Sequence, residues 1–186
     1  MFDDPGYSPL DLYGSAQANA GDLSSPVVAS CPHAGRSYPA SMLAASKEPV
    51  SALRGLEDFG VDCLLPGLAA AGVTTVVNRF SRAYIDVNRD PAAVDSSMFS
   101  APVSTRPPRQ HARAGYGLIP RLTATRKPIY TGKLDPTEIG TRLGNVHTPF
   151  HAALTSMMDQ AVSRFGKVLL IDMHSMPAFD RLNNRL

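Results

Sequence analysis

The chain reads as an α/β layer fold built on a largely parallel sheet. Three observations predict this. Short apolar or β-branched runs at residues 26–30, 74–77 and 167–172 suit buried strands. Longer stretches with helical spacing separate them, at residues 50–72 and 135–165. The resulting order, strand, helix, strand, loop, helix, strand, is that of a sheet layered with helices. A length of 186 residues suits one domain with a sizeable core.

Residues 1–24, rich in Gly, Ser, Asp and Ala, read as an N-terminal arm or loop, and residues 25–186 as a single domain. Pro26-Val27-Val28-Ala29-Ser30 forms the first strand and ends in the turn Cys31-Pro32-His33-Ala34-Gly35. Over 50–72, Leu53, Leu56, Val61, Leu64, Leu65 and Leu68 recur at three- and four-residue steps; Pro66 kinks this helix and Gly72 stops it. Thr74-Thr75-Val76-Val77 is the second strand. Residues 90–130, dense in Pro, Gly, Ser and Arg, form a long excursion with little regular structure, of the kind that is usually functional or disordered. Asp135 caps a helical region whose first turn holds Pro136, and which Gly140, Gly144 and Pro149 weaken on its way to Phe165. Lys167-Val168-Leu169-Leu170-Ile171-Asp172 is the clearest strand.

Charge and composition exclude several classes. With 18 basic and 16 acidic side chains, net +2, the chain has no global field for nucleic acid or an anionic membrane. No apolar run approaches the ~18 residues of a membrane helix. The acidic, polar start MFDDPGYSPL is unlike a signal peptide, and the two cysteines, Cys31 and Cys63, suit a reducing compartment, so the expected location is the cytoplasm. Cys31 reads as packing, having no basic neighbour to activate it.

In parallel sheets ligands bind beyond the carboxyl ends of strands. His33 follows the first strand and His174 the last, so the pair suits a metal site, although no H-E-x-x-H or H-x-x-E spacing accompanies it. Glu57, Asp58 and Asp62 are candidate third ligands; Asp58 and Asp62, four apart, share a helix face, and a solvated acidic face is the alternative. Arg79 to Arg89 is the most unusual stretch. If extended, it sets Arg82, Tyr84, Asp86 and Asn88 on one side and Ala83, Ile85 and Val87 on the other. Arginine forks suit a carboxylate, and Asp86 can either pair with Arg82 or orient an arginine that grips substrate. His147 and His151 are four apart with Pro149 between them; a cap or outer-shell role suits His151 better than metal binding. The basic run Arg106, Arg109, Arg113, Arg121, Arg126 and Lys127 has too few aromatics for a nucleic-acid surface, and reads as a solvated loop or a cationic lid for an acidic substrate.

Four of these stretches together resemble the N-formylglutamate amidohydrolase family. Residues Ser25 to Pro39, with Cys31-Pro32-His33-Ala34-Gly35-Arg36-Ser37-Tyr38-Pro39, look like its S-P-H-x-G-x-x-Y/V-P element. Arg82-Ala83-Tyr84-Ile85-Asp86-Val87-Asn88-Arg89 looks like R-x-x-x-D-x-N-R. Pro149-Phe150-His151 resembles P-Y-H with Phe for Tyr, and Ile171-Asp172-Met173-His174-Ser175-Met176 resembles I-D-C-H-S-M with Met for Cys. The elements occur in the same order across residues 25–178.

The resemblance implies a three-layer α/β/α, phosphorylase/hydrolase-like fold with a mostly parallel or mixed sheet, shared with zinc carboxypeptidases and aspartoacylases. It also implies one divalent metal, zinc by analogy, on His33 and His174. Because Arg36 stands where those relatives carry the glutamate of H-x-x-E, the third ligand must come from elsewhere, with Asp62 the first choice and Asp58 the second. Arg82, Asn88 and Arg89 would bind substrate, with Asp86, His151 and Ser175 supporting from behind. The implied activity is hydrolysis of N-formylglutamate to formate and glutamate. The related carboxypeptidases use a late glutamate as general base; here the sequence stops at Leu186, so the resemblance implies a C-terminally truncated chain without that base. Other N-acyl acidic amino acids, or carboxylate binding without turnover, are the competing readings.

Overall fold

The computed structural model describes residues 8–14, 23–103 and 110–176. Four strands, β1 (Leu10–Tyr13), β2 (Val27–Cys31), β3 (Thr74–Asn78) and β4 (Leu169–Asp172), form one sheet in the order β1-β3-β2-β4. β2 runs parallel to both β3 and β4, and β1 joins antiparallel at the edge. β1 lies inside the stretch that reads as an arm, whose residues 1–7 and 15–22 lie outside the described residues. Leu10 and Leu12 pack on the main core, so two apolar side chains at alternate positions suffice to make an edge strand.

The pleat sends side chains to two cores. Val28 and Val76 face one with the 18-residue helix α6 (Thr148–Phe165), whose Phe150, Leu154, Met157 and Ala161 form a buried stripe. Ala29, Cys31, Val73 and Val77 face the other, against Val61, Leu65 and Leu68. Helical segments on both faces of a mixed, mostly parallel sheet make three layers. β4 is the other edge and leaves Leu169, Leu170 and Ile171 59%, 41% and 40% exposed. No helix among the described residues is long and apolar enough to cross a membrane.

Three stretches differ from expectation. Residues 50–72 form two short helices, α2 (Val50–Leu53) and α3 (Leu65–Ala70), separated by 3₁₀ turns at Arg54–Leu56 and Val61–Leu64. Gly60, at φ +76°, breaks the path. Residues 79–90 are a succession of turns, not a strand, and Tyr84 joins Ala83, Ile85 and Val87 in the core. Among its described residues the 90–130 excursion has one 3₁₀ turn, Ser96–Met98, and the short helix α4 (Gln110–Arg113). It nevertheless supplies Met98, Leu118, Ile119, Ile129 and Tyr130 to the core. α1 (Ala40–Ala45) follows the first site loop.

From α5 (Thr137–Arg142) the chain continues unbroken through a π turn (Leu143–His147) into α6. The wide turn precedes Pro149, which has no N–H for the preceding turn's carbonyl, so the helix widens instead of breaking. Arg142 is the largest fully buried side chain. Its guanidinium donates to Tyr84 O (2.6 Å) and Tyr130 Oη (2.9 Å), pairs with Glu138 (2.8 Å) and stacks on the Tyr84 ring.

Gly35 lies where two site loops touch. A Cβ there would sit 2.3 Å from Phe80 O, so Gly35→Ala should cost about 1–3 kcal/mol, as overpacking does. Gly140, inside α5 with open space around it, should gain up to about 1 kcal/mol as Ala. Urea midpoints check both; equal behaviour of the two variants would refute the close-approach argument.

Candidate metal centre

The parallel strands β2, β3 and β4 end together, and their loops carry the site. Asn78, buried at the end of β3, joins them: its Nδ2 donates to Pro32 O and Phe80 O, both at 2.9 Å. This holds the β2 loop, and so His33, against the turn that carries Arg82 and Asp86. The Asp58 N–H donates to His33 O (3.1 Å), bringing the acidic bend after the first 3₁₀ turn to the same place.

His33 is 2% exposed. Its Nε2 donates to Asp86 Oδ1 at 2.7 Å, while Nδ1 has no hydrogen-bond partner and lies 3.4 Å from Asp58 Oδ2. That separation is too long for a full hydrogen bond. It is close enough for the carboxylate to favour a proton or a cation on the nitrogen. His174, just past β4, places Nδ1 2.8 Å from the same Asp58 Oδ2 and Nε2 2.9 Å from Asp172 Oδ2. A neutral imidazole donates from one nitrogen only, so one of these contacts needs a second proton or a cation.

Each histidine thus turns Nδ1 to Asp58 and Nε2 to a second carboxylate, Asp86 or Asp172. Ligating histidines take this arrangement, with an outer carboxylate fixing the tautomer and ring. One ligand atom from each of His33, Asp58 and His174 lies within 4.8 Å of the others. The donor set fits a divalent ion that accepts imidazole and carboxylate, and the partnerless Nδ1 is the atom such an ion would satisfy.

The charges follow from burial and pairing. Desolvation pushes the Asp86 carboxyl up, but His33, Arg82 and Arg89 outweigh it and hold the group down at about 2. Burial likewise opposes ionisation of Asp58, and the two histidines overcome it to lower that group. Burial lowers His33, but the nearby carboxylates of Asp58 and Asp86 together raise it above 6.5. Burial pushes the Cys31 thiol up to about 11, in keeping with a packing role.

Several expected residues take other places. Asp62, the first choice for third ligand, pairs with Arg36 (3.0 Å) on the far side of Gly60, and Asp58 stands at the histidines instead. The left-handed turn at Gly60 separates two residues that a straight helix would have set on one face. Arg82 donates Nε–H to Asp86 Oδ2 (2.9 Å) and lines a cleft of about 710 Å³ with Arg54, Phe59, Ser175 and Met176. Ser175 therefore faces the cleft, while Asp172, not singled out from sequence, sits behind His174 and accepts from Ser30 Oγ. Its position two residues before His174, on the same side of an extended chain, was the available signal. Asn88 Nδ2 donates to Asp172 Oδ2 at 3.1 Å. Arg89 Nε, 3.4 Å from Asp86 Oδ2, is buried without a hydrogen-bond partner. His151 donates to Val87 O and His147 to Arg89 O. In the basic run, Arg121 pairs with Asp95 (3.0 Å), and Arg106 and Arg109 lie outside the described residues.

A family model described as N-formylglutamate amidohydrolase matches residues 25–185. No curated protein matches the chain in sequence. Among solved structures, an N-formylglutamate amidohydrolase from Ralstonia eutropha is 34% identical, with a TM-score of 0.81 over 92% of this chain and 59% of its own. A gene product of Agrobacterium tumefaciens is 19% identical, with a TM-score of 0.67 over 94% of this chain and 59% of its own. The second likeness is one of fold. The chain spans 59% of the length of each.

Metal titration checks the centre. His33→Ala and Asp58→Asn should weaken zinc binding by more than about 100-fold, Asp86→Asn and Asp172→Asn by about 10–100-fold as outer-shell partners do, and Asp62→Asn little. Loading should release protons, and affinity should fall on acidification: His33 binds metal only when neutral, and its raised value lets protons compete from above pH 6.5 downward. Equal losses in Asp58→Asn and Asp62→Asn would remove Asp58 from the centre.

Proposed function

Because the chain belongs to the N-formylglutamate amidohydrolase family, we propose that it serves hydrolysis of the acyl amide of an N-acylated acidic amino acid, N-formylglutamate first among them. His33, Asp58 and His174 would hold one divalent ion, zinc by analogy with the family's relatives, on imidazole and carboxylate donors. The observation that carries the reading is a buried polar atom without a hydrogen-bond partner, His33 Nδ1, within the histidine–carboxylate cluster. A cation satisfies it, while Arg89 Nε already faces Asp86 at 3.4 Å, which leaves the terminal N–H groups of that guanidinium for a substrate anion.

A bound divalent ion supplies Lewis acidity toward the amide carbonyl and makes water a usable nucleophile near neutral pH. The chain's own groups do the rest. Asp86 and Asp172 hold the two imidazoles in the tautomer with Nδ1 bare. Arg89 and Asn88 receive a substrate carboxylate, and Arg82, anchored on Asp86, presents its remaining N–H groups to the cleft. Arg54, on the cleft rim, is paired with Glu57 of the same cleft. The described carboxylates here already have partners: Asp58 two histidines, Asp86 His33 and Arg82, Asp172 Ser30 and His174, Glu57 Tyr38 and Arg54. We therefore assign no general base among the described residues, and carboxylate binding without turnover is the second reading for this length of chain.

Calorimetry with the zinc-loaded chain, together with a formate assay, tests this. N-formylglutamate should bind, Arg89→Met should weaken it by about tenfold or more, as loss of a charge-assisted bond of ~1.5–3 kcal/mol implies, and N-formylnorleucine should bind far less. Formate release decides between hydrolysis and binding alone. Neither binding nor formate would end both readings.

A further inference from the structure

Asn88 and Arg89 are carried on a turn, and Asn88 is exposed. Such a peptide holds its side chains in place only if its backbone is tied down. One tie is local: the Asn88 N–H donates to Asp86 Oδ1 at 3.0 Å. The other two come from a single helical element across the turn. His147 Nε2 donates to Arg89 O at 3.0 Å and His151 Nε2 to Val87 O at 2.7 Å. The carbonyls on either side of Asn88 are thus both held, while its side chain reaches Asp172 beyond β4.

We propose that His147 and His151 are positioning residues: a paired imidazole clamp that fixes the Val87–Asn88–Arg89 peptide so that Asn88 and Arg89 meet a substrate carboxylate. The inference rests on the functional reading above for what the peptide meets, and on geometry alone for the clamp. The two rings lie 4.4 Å apart, tilted by 39°. They come from successive turns, His147 in the π turn and His151 in α6, where four-residue spacing sets side chains one above the other. The widened turn before Pro149 therefore has a consequence at the site, since it sets the seat of His147. The cluster of described residues that could hold a metal, His33, Asp58 and His174, does not include this pair. Burial of His147, against the weaker upward pull of Arg89 O, lowers its proton affinity and keeps the ring neutral near pH 7. A neutral ring bonded through Nε2–H is a single, rigid donor.

The test compares His147→Ala and His151→Ala with His147→Gln and His151→Gln, since glutamine can return an N–H donor. Hydrogen exchange at the Asn88 amide and the affinity of the zinc-loaded chain for N-formylglutamate are read together. The alanine variants should speed Asn88 exchange and weaken binding by about tenfold or more, in the range that outer-shell partners cost, with zinc affinity and melting midpoint near those of the parent. Glutamine should recover most of both. Unchanged Asn88 exchange in the alanine variants overturns the clamp whatever the binding. A general loss of protection and midpoint, not rescued by glutamine, overturns it in favour of a fold brace. If the parent binds no N-formylglutamate, the functional reading fails and Asn88 exchange still decides the clamp. Should an alanine variant not fold, ¹⁵N spectra of the unsubstituted protein decide: both rings must carry hydrogen on Nε2, and a ring with hydrogen on Nδ1 alone overturns the proposal.

Discussion

The burial of one carboxylate organises this structure. Asp86 is 1% exposed, and an unpaired charge at that depth would cost several kcal/mol. It is stable there because it accepts from His33, Arg82 and the Asn88 N–H, with Arg89 close by. Its own N–H donates to Leu118 O at 2.8 Å, tying in the long excursion. Three segments distant in sequence, the β2 loop, the 79–90 turns and the long excursion, are thereby held to one point. The partners pay for the buried charge, and the same partners are the site. Stability and site geometry are consequently inseparable at this residue.

The two histidines repeat one device. Each points one nitrogen at Asp58 and rests the other on a carboxylate, buried for His33 and partly exposed for His174. With both rings neutral, Asp58, Asp86 and Asp172 outnumber Arg82 and Arg89 by one charge. A divalent ion held there would reverse that sign, beside a cleft lined by Arg54 and Arg82 as well as Glu57 and Asp58. The acidic ring and the arginines are two parts of one balance.

Regular elements support this centre less than the irregular ones do. The 90–135 excursion supplies core side chains as well as the Asp86 tie, and Arg142 stitches it, through Tyr130, to Tyr84 in the turn that bears Asp86. The turns at 79–90 are therefore rigid without being regular: their backbone groups are satisfied by side chains and by the excursion, in place of a ladder.

What the sequence determined by itself was the set of elements whose signal is local. The strands β2, β3 and β4 announce themselves as short apolar runs, α6 lies in a stretch that reads as helical from Asp135 to Phe165, and the order of elements places His33 and His174 just past the first and last of these strands. The family resemblance rested on the same local strings, because the residues nearest the chemistry lie on the loops that follow those strands. Only the tertiary structure set Asp58 beside the two histidines and Asp62 on Arg36, because one left-handed glycine redirects the chain and periodicity does not record φ. It also set Asp172 behind His174 and His147 beside His151, and it buried apolar side chains of the 90–130 stretch in the core. Each of these depends on contacts between residues tens of positions apart, formed to satisfy buried charges and carbonyls, and a local pattern carries no trace of a partner that lies elsewhere in the chain.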